Sequence, residues 1–139
     1  MQDGWARQRF ADARVARLAT VGADGAPHLV PITFAVHGDT ILTAVDGKPK
    51  STMRLRRLAN IATNPNVSVL VDHYDDDWQT LWWARADGVA RLVDTASERR
   101  EAVRLLTGRY EQYVATPPPG PVVAIDVGRW SGWTAAAQG

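Results

Sequence analysis

Apolar and polar residues alternate along most of the chain, as they do in β-strands that bury one face. The alternation predicts six or seven strands, over residues 15–21, 28–36, 40–45, 67–71, 78–84, 88–93 and 121–127. The first three are expected to form an antiparallel meander, and Asp87-Gly88 is expected to turn a later hairpin. Pro31 lies inside the second strand, which therefore needs an edge position or a bulge, because proline cannot donate to the ladder.

Three segments have the spacing of a helix, over residues 5–13, 51–63 and 95–106. Ser51 can cap the second helix, and Asn64-Pro65 ends it. Thr95 and Glu98 form a capping box at the start of the third. Strands in hairpin order with interspersed helices favour a mainly β fold, a closed or nearly closed antiparallel barrel.

Composition narrows the classes of function. Sixteen Lys and Arg against fifteen Asp and Glu leave a net charge of +1, which gives nucleic-acid binding little support. The lack of Cys excludes disulfides, thiolate metal sites and Cys nucleophiles. The three His do not have the spacing of a zinc site, so no metal is expected. No apolar stretch is long enough for a membrane span, and we expect a cytoplasmic protein with no membrane partner.

A basic segment, residues 48–57, carries five positive charges and no acid at the predicted start of a helix. The helix dipole and the unpaired N–H groups already favour negative charge at a helix start. The cations also repel one another, so an anion bound among them would stabilise this segment. One interpretation is a bound phosphate, and the other is a solvated basic face on a helix that packs by its apolar side. In the first interpretation, the Ser51 and Thr52 hydroxyls hold the phosphate, and its charge is neutralised by Lys50, Arg54 or Arg57.

The chain offers no obvious nucleophile or acid–base pair, so a cofactor should carry the difficult step of any reaction. Six Trp need burial in a core, at a subunit interface or against a flat ligand. Trp82 and Trp83 are adjacent on a predicted strand, so their rings point to opposite faces and one should belong to the core. Trp78 follows an acidic loop, whereas Trp130 and Trp133 lie in a late segment that could cover a pocket mouth; surface anchoring is the alternative.

A family resemblance is carried by three early runs, Leu18-Ala19-Thr20-Val21, Asp24-Gly25-Ala26-Pro27-His28 and Val30-Pro31-Ile32-Thr33-Phe34. They resemble the opening of the pyridoxamine 5′-phosphate oxidase-like flavin proteins, which have the split β-barrel fold. Further similar segments follow in the family's order, at residues 48–50, 57–60, 64–65 and 67–72. The chain looks most like the short members of this family that depend on the deazaflavin coenzyme F420.

The resemblance implies a mainly β, FMN-binding type of split barrel with two to three helices, formed by residues 1–139 as a single domain. Residues 13–94 would form the main barrel and the phosphate-binding helix, residues 95–115 a helix, and residues 121–139 the last strand and a Trp-containing tail. It also implies a homodimer with cofactor sites at the subunit interface, into which Trp78 would reach from the other subunit.

The same resemblance implies a reaction and a set of cofactor-binding residues. The reaction is hydride transfer between coenzyme F420 and an unsaturated small molecule, with no catalytic side chain of the protein's own. An FMN-binding oxidoreductase and a non-catalytic carrier are the alternatives. Strand positions would line the ring, the basic segment would hold the phosphate, and Trp residues would close the pocket. The residues are Pro31, Ile32, Thr33, Thr43, Ala44, Val45, Lys48, Lys50, Ser51, Thr52, Arg54, Arg57, Trp78, Trp130 and Trp133.

Overall fold

The structure, a computed structural model, describes residues 2–45 and 52–138, with side chains over residues 3–45 and 56–136. Its strands are β1 (Ala16–Val21), β2 (Pro27–Ile32), β3 (Ala35–His37), β4 (Thr40–Ala44), β5 (Asn66–His73), β6 (Trp82–Leu92) and β7 (Val122–Thr134). Its helices are α1 (Gln2–Asp12), α2 (Thr52–Thr63), α3 (Ala96–Arg109) and α4 (Gln112–Ala115), with short 3₁₀ turns at Trp78–Thr80 and Ala135–Gln138.

The seven strands of the described residues form one antiparallel sheet in the order β2-β1-β5-β6-β7-β4-β3. The sheet curls into a half-barrel, so the mainly β split-barrel prediction is confirmed. The expected two to three helices become four because the chain forms one extra turn of helix at Gln112–Ala115. Pro31 lies on β2, at the edge of the sheet, and pairs with Arg17 of β1. At this edge its missing N–H costs no ladder hydrogen bond.

Two predictions about the strands in the first part of the chain are wrong. The expected meander does not form, because β2 and the β3–β4 pair lie at opposite edges of the sheet. The strand expected over residues 28–36 is broken at Thr33 and Phe34, where β2 ends before β3 begins. This break lets the chain pass from one edge of the curled sheet to the other.

The expected hairpin at Asp87-Gly88 is also wrong, since β6 runs straight through this pair with only a shift in its register against β7. Gly88 is not among the described glycines with positive φ, which are Gly25 and Gly38. A Cβ on Gly88 would lie 2.4 Å from the carbonyl oxygen of Asp126. Gly88 is therefore required by the close approach of β7 and not by a turn.

Two groups of buried side chains hold the fold together. The larger group fills the inside of the curled sheet under α1, and includes Phe10, Phe34 and Trp130. The smaller group packs α3 against β4 and β7 through Leu106 and Val122. α3 begins where the sequence predicts, because the Thr95 side chain accepts a hydrogen bond from the Glu98 N–H. None of the helices in residues 2–45 and 52–138 has both the length and the apolar character needed to cross a membrane.

Candidate cofactor-binding cleft

A cleft of about 270 Å³ lies beside the end of β2. Its wall combines the edge strand, the break that follows it, the end of β4, the helix α2 and the one-turn helix α4. Five predicted ring-binding or phosphate-binding residues meet there although they come from separate elements. The described residues that line the cleft are Val15, Pro31, Ile32, Thr33, Ala44, Arg57 and Tyr113.

The break after β2 is held open by hydrogen bonds from three directions. The Thr43 hydroxyl donates to the Thr33 carbonyl oxygen at 2.7 Å. The Phe34 N–H donates to the Tyr110 hydroxyl at 3.0 Å. The Thr33 hydroxyl lies 2.9 Å from the Tyr113 hydroxyl. Buried backbone groups that leave a ladder need such partners, and here the partners fix Thr33 at the cleft wall.

Tyr113 and Val15 were not among the predicted site residues. Tyr113 reaches the cleft because α4 follows the end of α3 directly, and its ring contacts Tyr110 edge-on at 5.8 Å between centroids. Tyr110 is buried and its hydroxyl also lies 3.0 Å from the carbonyl oxygen of Arg14, beside Val15. The helical spacing of Tyr110 and Tyr113 is a signal in the sequence that could have pointed to this pair.

The phosphate-binding prediction falls partly on residues that the structure does not describe. Lys48, Lys50 and Ser51 lie outside the described residues, and so do the side chains of Thr52 and Arg54, whose backbone begins α2. The first turn of α2 has no acidic residue. Arg57 lies on α2 and lines the cleft. Among the predicted phosphate-binding residues, its side chain is the one that the structure describes at the cleft.

A buried histidine marks the electrostatics of this end. His28 is only 9% exposed, and neither ring nitrogen has a hydrogen-bond partner among the described residues. Burial, followed by the positive charges of Arg56 and Arg57, lowers the pKa of His28 from its ordinary value. Opposite it in the ladder, Thr20 accepts a hydrogen bond from the Asn60 side chain of α2 at 3.1 Å. The region beneath α2 is thus cationic enough to favour an anion.

Thr43 and Val45 are buried and support the cleft from behind. The Thr43 hydroxyl donates to the Thr33 carbonyl oxygen, and the Val45 N–H donates to the Pro121 carbonyl oxygen at 2.8 Å. Of the three β4 positions predicted to line the ring, Ala44 is the one that reaches the cleft surface.

The prediction that Trp130 closes the pocket is wrong. Trp130 is 5% exposed, its Nε1 donates to Asp39 at 2.9 Å, and its ring packs against Phe10. β7 continues through this segment, which was expected to be a tail, and the pleat of the strand turns Trp130 into the core. Trp133 pairs with Trp83 in the ladder and does not line the cleft described here.

Trp78 and the Trp82-Trp83 pair lie elsewhere on the molecule. Trp82 packs edge-on against Trp5 beside the core, whereas Trp83 points to the other face and contacts Arg85, so the opposite-face prediction is confirmed. Trp78 is 76% exposed on the 3₁₀ turn, and its role at a partner's site stays a prediction.

Comparison with known proteins identifies the family of this chain. A family model described as pyridoxamine 5′-phosphate oxidase matches residues 4–134. The chain therefore belongs to the pyridoxamine 5′-phosphate oxidase family.

A curated relative covers only part of the chain. A 5a,11a-dehydrotetracycline/5a,11a-dehydrooxytetracycline reductase of Streptomyces rimosus is 39% identical over 56 residues. The match covers 40% of this chain and 38% of the reductase, so it spans well under half of that protein's length.

Solved structures share the fold at low sequence identity. A conserved hypothetical protein of Mycobacterium tuberculosis has a TM-score of 0.79 at 24% identity, covering 97% of this chain and 86% of that one. A FAD-binding protein of Mesorhizobium loti has a TM-score of 0.72 at 20% identity, with coverage of 95% and 94%. The heme storage protein HutZ of Vibrio cholerae has a TM-score of 0.71 at 15% identity, with coverage of 96% and 95%. Similarity at this level establishes the fold alone.

Proposed function

We propose that the protein is an oxidoreductase that binds coenzyme F420 in the cleft beside β2 and reduces an unsaturated small molecule. The observation that carries this proposal is the meeting of Pro31, Ile32, Thr33, Ala44 and Arg57 around one cleft. The family resemblance implies a ring at the first four of these residues and a phosphate at Arg57. FMN is the alternative cofactor, since both molecules join a flat tricyclic ring to a phosphate.

The shape of the cleft fits a flat ring. Its volume of about 270 Å³ is slightly below the roughly 300–1,000 Å³ of pockets that enclose a whole small ligand. A cleft of this size accepts a ring against one wall and leaves the rest of the cofactor outside. The wall is apolar at Pro31, Ile32 and Ala44, with hydroxyl groups at one side from Thr33 and Tyr113.

The charge of the cleft fits a phosphate at the other side. Arg57 contributes a cation that stays charged at every physiological pH. Burial and the positive charges of Arg56 and Arg57 lower the pKa of His28, which lies beneath the same helix. An anion placed near α2 would gain from the guanidinium and from the helix N-terminus together. The longer and more anionic tail of coenzyme F420 suits the five cations of the basic segment better than a single phosphate does.

The protein's own groups bind and orient the cofactor and the substrate. When bound, the cofactor supplies the hydride, and no side chain of the chain has to do redox chemistry. Pro31 and Ile32 give a rigid apolar surface that excludes water from one face. The Thr33 and Tyr113 hydroxyls form one hydrogen bond with each other at the cleft wall, and the O–H that accepts in this pair can donate to a polar atom of a bound molecule.

A second copy of the chain would complete the site. Pro31 of the cleft shares the exposed face of β2 with Leu29, which is 65% exposed, and Trp83 on β6 is half-buried. Covering such side chains is a common reason for dimers to form. In this arrangement the exposed Trp78 would approach the cofactor of the partner subunit.

Titration of the purified protein tests the proposal. Coenzyme F420, FMN and hemin are each added while absorbance and tryptophan fluorescence are recorded. We expect saturable binding of coenzyme F420 that is tighter than that of FMN. Preferential binding of FMN would select the alternative flavin enzyme, and binding of hemin alone would overturn the proposal in favour of heme storage.

Turnover separates an enzyme from a carrier. The protein loaded with reduced coenzyme F420 is mixed with quinones, enones and tetrapyrroles, and reoxidation of the cofactor is followed. The reductase relative in Streptomyces rimosus supports turnover. Cofactor binding without reoxidation by any acceptor would favour the carrier.

A further inference from the structure

A second cleft, of about 430 Å³, lies directly beyond the cofactor-binding cleft. Val15, which is 43% exposed, lines both clefts, so the two are adjacent. The second cleft is lined by three guanidinium groups, those of Arg9, Arg14 and Arg17, and by the ring of Trp82. We refer to it below as the arginine cleft.

The arginine cleft lies beside the end of β2. Ala16 pairs with Ile32, so Val15 lies near Thr33, just beyond the end of β2. A ligand in the arginine cleft would therefore lie next to the part of the cofactor cleft that Val15 and Thr33 line.

Two of the three arginines are held in place. Arg14 donates to the Arg109 carbonyl oxygen at 2.5 Å, and its guanidinium lies 4.9 Å from the centre of the Tyr110 ring. The Arg9 guanidinium lies 5.9 Å from the centre of the Trp82 ring. A guanidinium that contacts an aromatic ring keeps N–H groups at its edge. Arg9 and Arg14 are therefore held in position and still have N–H groups that can donate to a ligand.

Arg17 differs from the other two. Its side chain makes no ion pair or hydrogen bond with any other residue that the structure describes. Its ladder partners are Pro31 on one side and Leu70 on the other, so its neighbours across the strands are apolar. The guanidinium is thus exposed beside both clefts with its donors unused.

The charges of the arginine cleft do not balance. Its carboxylates are those of Asp12 and Asp72, against three guanidinium groups. Asp12 already lies 3.6 Å from Arg9 and accepts a hydrogen bond from Gln8. His73 is engaged by Asp75 at 2.9 Å. Asp72 is then the one carboxylate of the cleft against Arg14 and Arg17, which leaves an excess of one positive charge next to Val15 and the cofactor cleft.

We propose that the arginine cleft binds the carboxylate of the molecule that the enzyme reduces, and that the substrates are conjugated or aromatic organic acids. The proposal rests on the proposed function, because only a cofactor in the neighbouring cleft makes a ligand in this one a substrate. Arg17 pairs with the carboxylate, Trp82 contacts the apolar body, and the unsaturated part extends past Val15 towards the ring.

The test compares two probes of nearly equal shape, naphthalene-2-carboxylate and naphthalene-2-carboxamide. Binding to the full chain, with and without coenzyme F420, is measured by calorimetry. We expect the carboxylate to bind about tenfold more tightly than the amide, since a charge-assisted pair is about twice as strong as a neutral one. Equal affinity of the two probes for the unmodified protein would overturn the proposal.

Three variants locate the effect. Arg17→Gln should remove most of the preference for the carboxylate, and Arg17→Lys should retain part of it. Arg100→Gln makes the same change of charge on the exposed side of α3 and should leave the preference unchanged. An equal loss in Arg17→Gln and Arg100→Gln would overturn the proposal by showing a general charge effect.

Cofactor affinity is measured on the same samples. If no flavin or deazaflavin binds while the carboxylate preference depends on Arg17, the proposed function fails and the arginine cleft remains an anion site. If the cofactor binds and the preference is absent, the failure belongs to the arginine cleft alone.

Discussion

The hydroxyl oxygens of Thr33 and Tyr113 lie 2.9 Å apart, although 80 positions separate the two residues in the sequence. The pair joins the break after the edge strand to the one-turn helix that follows α3. It also places two hydroxyl groups on the wall of the cofactor cleft. The same contact therefore closes the fold locally and gives the cleft its polar side.

Tyr113→Phe removes one of these hydroxyls and keeps the ring. We expect cofactor affinity to fall by less than tenfold, because a neutral hydrogen bond contributes about 0.5–1.5 kcal/mol. The unfolding midpoint should change little. Fluorescence titration and thermal unfolding measure the two effects.

Tyr110→Phe is the matched control. It leaves the buried Phe34 N–H without its partner, which should cost about 1–3 kcal/mol of stability. If Tyr113→Phe destabilised the protein as strongly as Tyr110→Phe, the Tyr113 hydroxyl would be structural and not part of the site.

Arg57→Gln should weaken binding of the phosphate-bearing cofactor by about 10- to 100-fold, since a charge-assisted contact is worth about 1.5–3 kcal/mol. Riboflavin, which lacks the phosphate, should bind the variant and the unmodified protein equally. Arg56→Gln is the neighbouring control, because Arg56 does not line the cleft among the described residues. Equal losses for FMN and riboflavin would show that Arg57 contacts the ring and not the phosphate.

Gly88→Ala should destabilise the protein by about 1–3 kcal/mol or more, because the new methyl group meets the Asp126 carbonyl oxygen and β7 cannot move away freely. Gly108→Ala is the opposite case. Gly108 lies inside α3 with open space around its Cα, so the change should stabilise by about 0.5–1 kcal/mol. Urea unfolding of both variants measures the difference. A neutral Gly88→Ala would contradict the close approach of β6 and β7.

His28 should make stability depend on pH. Its pKa is lowered in the folded state, so the unfolded chain binds more protons near pH 6.5 and folding becomes less favourable as the pH falls through that value. Urea unfolding between pH 5.5 and 7.5 should show this slope in the unmodified protein. The paired carboxylates Glu98 and Asp126, whose pKa values are lowered by Arg91, titrate below this window.

His28→Gln should flatten that slope, whereas His37→Gln, at an exposed position, should preserve it. A slope that survives in His28→Gln would assign the pH dependence to another group. A bound anion should also reduce the slope, because it offsets the charges of Arg56 and Arg57, which together with burial lower the pKa of His28.

Two tryptophans distinguish core from surface. Trp130→Ala should cost about 3–5 kcal/mol, since it empties a packed position beside Phe10 and removes the Trp130 donor to Asp39, which keeps its contact with Arg7. Trp78→Ala should change stability by less than about 0.5 kcal/mol and should weaken the dimer in sedimentation experiments. A large loss of stability in Trp78→Ala would contradict an exposed position and would place the Trp78 ring in a packed core.

The sequence predicts those features that depend on neighbouring residues. The alternation of strands, the edge position of Pro31 and the Thr95 cap follow from local rules and are confirmed. The role of Gly88 does not follow, because a glycine needed for a turn and a glycine needed for a close strand look the same in sequence. Tyr113 and Val15 enter the cleft only through contacts between distant segments, and no local rule supplies those contacts.

A crystal structure of the protein with coenzyme F420 tests the central claim most directly. The tricyclic ring should lie against Pro31, Ile32 and Thr33, with the phosphate beside Arg57 and the start of α2. A ring bound elsewhere on the molecule, or a phosphate on the Tyr113 side of the cleft, would contradict it.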